Sequence, residues 1–286
     1  MSDKITNINW YPGHMAKARR EMQSDVKLVD MVVELLDARA PLSSRNPEID
    51  KIAGNKFRLV LLNKADLADE ATNRAWISYF EAQGITCIAL DSRKSSVKKP
   101  VVNAIMKVAA AKFERDRAKG ILNRPVRVMV CGIPNVGKST LINSVAGRAS
   151  TKTGNKPGVT KANQWIKLNK QVELLDTPGL LWPKFEDPSV GIHLAFLGSI
   201  NDDILEKREL AMLLIDELCA MDRALVAERY NISCEGSGAD ILEDIAKARL
   251  VLKKGGEPDY DRTALIVIDD FRNCRMGRIS LERPAK

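Results

Sequence analysis

The segment Gly132-Ile133-Pro134-Asn135-Val136-Gly137-Lys138-Ser139-Thr140 constrains this 286-residue chain more than any other stretch. It fits the pattern G-x-x-x-x-G-K-[ST] at every fixed position. The glycines let the backbone turn so that successive N–H groups face phosphate oxygens. Lys138 brings a point charge for β- and γ-phosphates, and Ser139 a hydroxyl for Mg²⁺. The flanks supply the required context. "VRVMVCG" (126–132) reads as a buried strand, and "STLINSVAG" (139–147) as a helix stopped by Gly147, whose dipole adds positive potential at the loop. Asn135, Val136, Gly137 and Thr140 complete the expected phosphate-contacting set. Such a loop ordinarily follows the first strand of its domain, yet here 131 residues come before it.

Those residues alternate between buried-strand runs and helical patterns, which predicts a parallel α/β sheet. The strand runs are "MVVELLD" (31–37), "FRLVLLNK" (57–64) and "GITCIAL" (84–90). Helical stretches are expected over 69–82 and over 97–118. Downstream, "NQWIKL" (163–168) and "QVELLD" (171–176) alternate as a hairpin turning at Asn169–Lys170. Beyond residue 200 the pattern becomes helical. Segments 203–230 and 239–256 read as helices, the latter closed by glycine, and 259–273 is a third candidate in which "ALIVI" also reads as a strand. The expected domains are an N-terminal arm (1–24), a nucleotide-binding α/β domain (25–199) and an all-helical domain (200–286).

Two more motifs flank the phosphate loop. "LLDTPGL" places Asp176 at a strand end in a D-x-x-G pattern, 38 residues after Lys138. There the carboxylate would hold Mg²⁺ through water and the Gly179 N–H would meet a γ-phosphate. Between them, "NKPGVT" offers Thr160, whose hydroxyl would complete the Mg²⁺ shell or simply cap a loop. Upstream, Asn63, Lys64 and Asp66 form N-K-x-D at the end of a strand. A carboxylate there accepts from both N1–H and the exocyclic amino group of guanine, a donor pair that adenine lacks. Asp91 and Ser92, after the third strand, stand where a base-supporting loop is expected; with Arg93 they depart from the usual Ser-Ala-Lys. The order is base site, phosphate loop, threonine, D-x-x-G, which is a Ras-like order rotated. Circular permutation is tolerated because the termini of a compact domain often lie close together.

With these motifs the chain resembles the circularly permuted GTPases, and within them the ribosome biogenesis GTPase A family. The resemblance covers residues 10 to 200. It rests on "WYPGHMAKA" (Trp10–Ala18), "DARAP" (Asp37–Pro41), Asn63–Asp66, Gly132–Ser139, Gly158–Thr160 and Asp176–Gly179. It implies a Ras-like P-loop GTPase domain followed by a helical RNA-contacting domain. It also implies a cytoplasmic enzyme that hydrolyses GTP late in assembly of the large (50S) ribosomal subunit, with precursor particle, rRNA and ribosomal proteins as partners. A monomer is expected.

The residue after D-x-x-G is Leu180, where Ras-like enzymes place a glutamine that orients the attacking water. Leucine cannot do this, so the group must come from elsewhere. The chain has 2 histidines. His193 reads as a helix residue. His14 is either a surface residue or a mobile water-orienting imidazole; the family resemblance assigns its histidine the second role, which makes His14 the expected catalytic residue. Asn135 is a candidate K⁺ ligand, bridging charge to the phosphates, or else a loop cap. Slow intrinsic turnover, stimulated by the ribosomal particle, is the expectation. A nucleotide-gated binding module with incidental hydrolysis is the alternative.

Charge is uneven. Residues 1–199 carry 31 basic and 19 acidic residues, whereas 200–286 carry 14 and 18. The run Arg93–Arg124 holds ten basic and two acidic residues and reads as either a solvated helix face or a polyanion-binding patch. The 5 cysteines form no C-x-x-C pair, which points to reduced thiols and away from a zinc ribbon. No run of 18 uncharged apolar residues spans a membrane, and the N-terminus lacks the apolar core of a secretory signal.

Overall fold

The computed structural model describes residues 13–147, 164–183, 185–200 and 206–285. They form two compact units. One contains the described residues up to Val190 together with the tail from Ser280; the other runs from Gly191 to Ile279.

The first unit is built on a six-stranded sheet. Its strands are β1 (Met31–Asp37), β2 (Phe57–Asn63), β3 (Thr86–Ala89), β4 (Val126–Cys131), β5 (Gln164–Lys167) and β6 (Val172–Asp176). Their spatial order is β3-β2-β1-β4-β6-β5. Pairing is parallel throughout except for the β5–β6 hairpin. All seven residues of β1 are buried because it pairs on both sides and both its faces are covered, which is why it reads as a continuous apolar run. Edge strand β5 buries only Ile166. Asn169 closes the hairpin by accepting the N–H groups of Gln171 (2.7 Å) and Val172 (2.9 Å).

The helices of this unit follow the apolar pattern with local stops. An N-terminal helix covers Gly13–Asp25. Helix Glu70–Ala82 starts at Asp69, whose carboxylate accepts the Thr72 N–H at 2.7 Å. It buries Trp76 and Phe80 against Leu36, Val60 and Leu62. The stretch expected as one helix over 97–118 is two, Lys98–Val108 and Ala110–Ala118, broken at Ala109. In the second of these, Lys112 is buried and paired with Asp116 at 2.7 Å, so one cation of the basic run does structural work. Helix Lys138–Ala146 ends at Gly147, φ 70°, as its sequence predicts.

The second unit is helical, with helices Lys207–Asp222, Ala224–Tyr230, Gly238–Ala248 and Tyr260–Arg272. Leu210, Leu214 and Leu218 pack with Ile241, Ile245, Val267 and Phe271 as its core. Segment "ALIVI" is helix. The helix expected to reach Gly256 stops at Ala248 instead. Leu250 takes φ 53°, the Val251 N–H returns to the Ala246 carbonyl, and Lys253–Gly256 makes a turn closed by the Lys253–Glu257 hydrogen bond. No helix among the described residues is long and apolar enough to cross a membrane.

The last residues return to the first unit. The Leu281 N–H donates to the Arg39 carbonyl at 2.7 Å, and the Asp69 N–H to the Ser280 hydroxyl at 3.1 Å. The Glu282 carboxylate accepts the N–H groups of Leu42 (2.7 Å) and Ser43 (3.0 Å) and the Ser43 hydroxyl. Its carbonyl takes the Trp76 indole N–H at 3.3 Å. The helical unit therefore ends at Ile279, whereas the sequence reading ran it through 286.

Candidate functional site: a nucleotide crevice at the carboxyl ends of the strands

Asp37, Asn63, Gly132 and Asp176 all sit at or just past the carboxyl ends of parallel strands, where open α/β sheets place their ligands. Asn63, the last residue of β2, binds the crevice together. Its Nδ2 donates to the Val136 carbonyl at 2.7 Å, and its Oδ1 accepts the Ser92 N–H at 2.9 Å. The Ser92 carbonyl accepts the Ser144 hydroxyl from the helix after the phosphate loop, at 2.6 Å. The N-K-x-D motif, the 91–92 loop and the phosphate loop are thus one hydrogen-bonded assembly.

Gly137, at φ 102°, is pressed against this assembly. A Cβ there would collide with Asn63 Nδ2 and lie 3.3 Å from the Ser92 hydroxyl. Lys138, the first helical residue, folds back onto the carbonyls of Gly132 (3.0 Å) and Ile133 (2.8 Å). Burial pushes its ammonium down to about 8, against the opposing pull of the Asp176 carboxylate. Ser139 and Thr140 follow it in the first helical turn, half-buried. Asn135 adopts φ 57°, a left-handed conformation that asparagine tolerates better than most residues.

Asp176 ends β6 with its carboxylate fully buried and, among the described residues, neither oxygen has a hydrogen-bond partner. Burial pushes it up to about 6, although Lys138 pulls the other way. A buried carboxylate with both oxygens open, near the phosphate-loop Lys138, fits a divalent cation. Thr177 anchors the chain to the Val130 carbonyl at 2.8 Å. Gly179 then lies directly on the phosphate loop, where an added Cβ would sit 2.8 Å from Pro134 Cα. Leu180 is buried and its N–H donates to the Gly132 carbonyl at 3.2 Å. Its side chain belongs to the core.

On the base side, Lys64 leaves the strand at φ 58° and pairs with Asp37 at 3.0 Å. Asp37 also takes Arg39 through both oxygens, at 2.9 and 2.8 Å. Burial alone would raise the Asp37 carboxyl, but Arg39 and Lys64 hold it well below the ordinary carboxylate range. Asp66 accepts Arg93 at 2.6 Å, and Asp91 accepts the same guanidinium at 3.0 Å. Asp91 lies below its usual range; burial opposes this and hydrogen bonds from Arg93 outweigh it. Sequence reasoning named Asp66 and Asp91 but missed Arg93 as their partner, and it missed Asp37 as the partner of Lys64. Arg93 was visible as the last residue of the Asp91-Ser92-Arg93 loop and the first of the basic run, but not as a partner of Asp66.

Two expected site residues are not placed. Thr160 lies outside the described residues, as does the side chain of His14, whose backbone belongs to the N-terminal helix. His193 sits in helix Pro188–Phe196 and bonds Glu217 at 2.9 Å.

A protein-family model described as 50S ribosome-binding GTPase matches residues 127–242. Its match begins within β4, at the phosphate-loop half of the crevice. Ribosome biogenesis GTPase A of Bacillus cereus is 45% identical over 97% of this chain and 94% of its own length. The Thermotoga maritima protein of the same name is 34% identical over 97% and 95%. The chain belongs to the ribosome biogenesis GTPase A family. Among solved structures, GDP-bound YlqF matches with a TM-score of 0.66 and 30% identity, covering 93% of this chain and 99% of that one. GNP-bound YlqF from T. maritima gives 0.65, 30%, 94% and 99%. This member of the family is therefore a GTPase with a circularly permuted G domain. The strand order agrees: the sheet places phosphate-loop strand β4 between β1 and β6, with the base-motif strand β2 arriving earlier in the chain.

Proposed function

We propose that this GTPase binds Mg²⁺·GTP in the strand-end crevice and hydrolyses it during late assembly of the large ribosomal subunit in the cytoplasm, as a monomer, with turnover stimulated by the particle. The observation that supports the site most directly is the Asn63 bridge, which unites the base motif and the phosphate loop in one rigid unit. The ribosomal role is carried over from relatives whose names declare it. Asn63, Lys64, Asp66, Asp91 and Ser92 hold guanine. Asn135 to Thr140, Thr160 and Gly179 hold the phosphates. Ser139, Thr160 and Asp176 hold Mg²⁺, which when bound neutralises charge on the β- and γ-phosphate oxygens. Lys138 would add its charge to the same phosphates, and the buried Asp176 and Thr177 keep bulk water from that end of the crevice.

Leu180 offers nothing to the attacking water, and its burial shows why: it is a core residue. We therefore assign the water-orienting role to His14, delivered from the N-terminal arm, and the supplementary charge to K⁺ held by Asn135. His14→Ala should cut kcat by at least about tenfold with little change in GTP affinity, the range expected for a lost general base. A large loss of binding instead would make His14 structural. Turnover should rise with added large-subunit particles and on replacing Na⁺ with K⁺. The buried Leu180 also favours the second reading, a nucleotide-gated rRNA-binding module. Co-sedimentation with subunits in GDP and in a non-hydrolysable GTP analogue separates the two, because a pure binding module releases normally when His14 is replaced.

A further inference from the structure

Arg93 opens the basic run of the sequence, yet it does not present its charge freely. Its backbone N–H and its Nε both donate to Asp91 Oδ1 at 3.0 Å, and Nη2 reaches Asp91 Oδ2 at 3.2 Å. The same Nη2 donates to Asp66 Oδ2 at 2.6 Å. The side chain is 65% exposed, so core packing does not hold it there. What holds it is the fork-on-fork contact with Asp91, two residues earlier in the same loop. A planar guanidinium anchored in this way has already given up its rotamer freedom. Closing the further bond onto Asp66 then costs little, whereas an isolated surface pair would be weak. The other Asp66 oxygen, Oδ1, is buried and has no hydrogen-bond partner among the described residues.

The Asp66 carboxylate is therefore fixed at one oxygen and open at the other. A guanine edge offers two donors, N1–H and the N2 amino group, while hypoxanthine offers only N1–H. We propose that Arg93 is a specificity-setting positioning residue that pins the Asp66 carboxylate in the orientation that meets both guanine donors at once. Pinning matters most for the two-donor contact, because a swinging carboxylate still meets a single N–H. This inference rests on the GTP reading above and adds to it the residue that sharpens base choice.

The test is calorimetric titration of the full chain with GDP, IDP and ADP. Arg93→Ala should weaken GDP about tenfold, the scale of one charge-assisted hydrogen bond, and IDP by no more than about twofold. Arg93→Lys, with a charge but no fork, should leave the GDP-to-IDP ratio near the alanine value. An equal loss for GDP and IDP would make Arg93 merely structural and overturn the proposal. Unchanged affinities, or tighter GDP binding, would overturn it too, the latter by showing that Arg93 competes with the base. The Arg93 side chain is 65% exposed and fills no core position, and an unchanged urea midpoint verifies that the variants fold. Should the unaltered chain fail to prefer GDP over ADP, the nucleotide assignment itself falls, independently of Arg93.

Discussion

Asn63 and Val136, 73 residues apart in sequence, are joined by a 2.7 Å hydrogen bond from the Asn63 amide to the Val136 carbonyl. Because Asn63 also accepts from Ser92, replacing it strands two polar groups in a buried setting. Asn63→Ala should cost about 2–4 kcal/mol of stability, each orphaned group contributing about 1–3 kcal/mol. GDP affinity should fall with it. Urea unfolding and nucleotide titration read the two effects, and a variant that keeps full stability would disprove the bridging role.

Gly179→Ala tests how tightly D-x-x-G abuts the phosphate loop. The new Cβ would lie 2.8 Å from Pro134 Cα and 2.9 Å from Pro134 N, both backbone atoms that cannot rotate away. The loops must separate, at about 1–3 kcal/mol. The expected result is selective: affinity for a non-hydrolysable GTP analogue drops several-fold more than affinity for GDP, since only the former needs the Gly179 N–H at a γ-phosphate.

Asp176→Asn should act in opposite directions on stability and activity. Its carboxylate is raised from 3.8 to about 6, so the ionised form is a cost to the nucleotide-free protein at pH 7. Removing that charge should stabilise the nucleotide-free chain by on the order of 2 kcal/mol. It should also raise the Mg²⁺ concentration needed for half-maximal hydrolysis by at least about tenfold, one unit of log affinity. Thermal unfolding with EDTA and an Mg²⁺ titration of turnover measure the pair. A variant both less stable and less active would contradict the assignment.

Asp37 has the opposite sign. Its folded-state pKa is depressed below the ordinary 3.8 by Arg39 and Lys64 despite burial. It therefore adds stability at pH values above 3.8, and that contribution drains away as pH falls from 3.8 toward the folded value. Asp37→Asn should flatten the stability profile in this acid window. At pH 7 it should cost about 3–5 kcal/mol, because the buried Arg39 loses the carboxylate charge that takes it through two hydrogen bonds.

The legible parts of the fold were those dictated by local pattern. β1, β2 and β4 announce themselves because both faces are covered, and the phosphate loop because its glycines and lysine have few substitutes. The rest depended on partners distant in sequence. Nothing in "DSR" says that Arg93 reaches Asp66, 27 residues back, and nothing in "LERP" says that Glu282 reaches Leu42, 240 residues back. The break at Ala109 and the end of the helix at Ala248 were hidden because apolar periodicity continues through both positions.

The tail from Ser280 to Glu282 has a consequence for the order of synthesis. Arg39, Leu42, Ser43, Asp69 and Trp76 leave the ribosome well before the segment that bonds them, Leu42 being 240 residues ahead of Glu282. A nascent chain must carry the unsealed surface around Trp76 while the whole of Gly191–Ile279 is made. The nucleotide-binding unit is complete only once Ser280–Glu282 have been made.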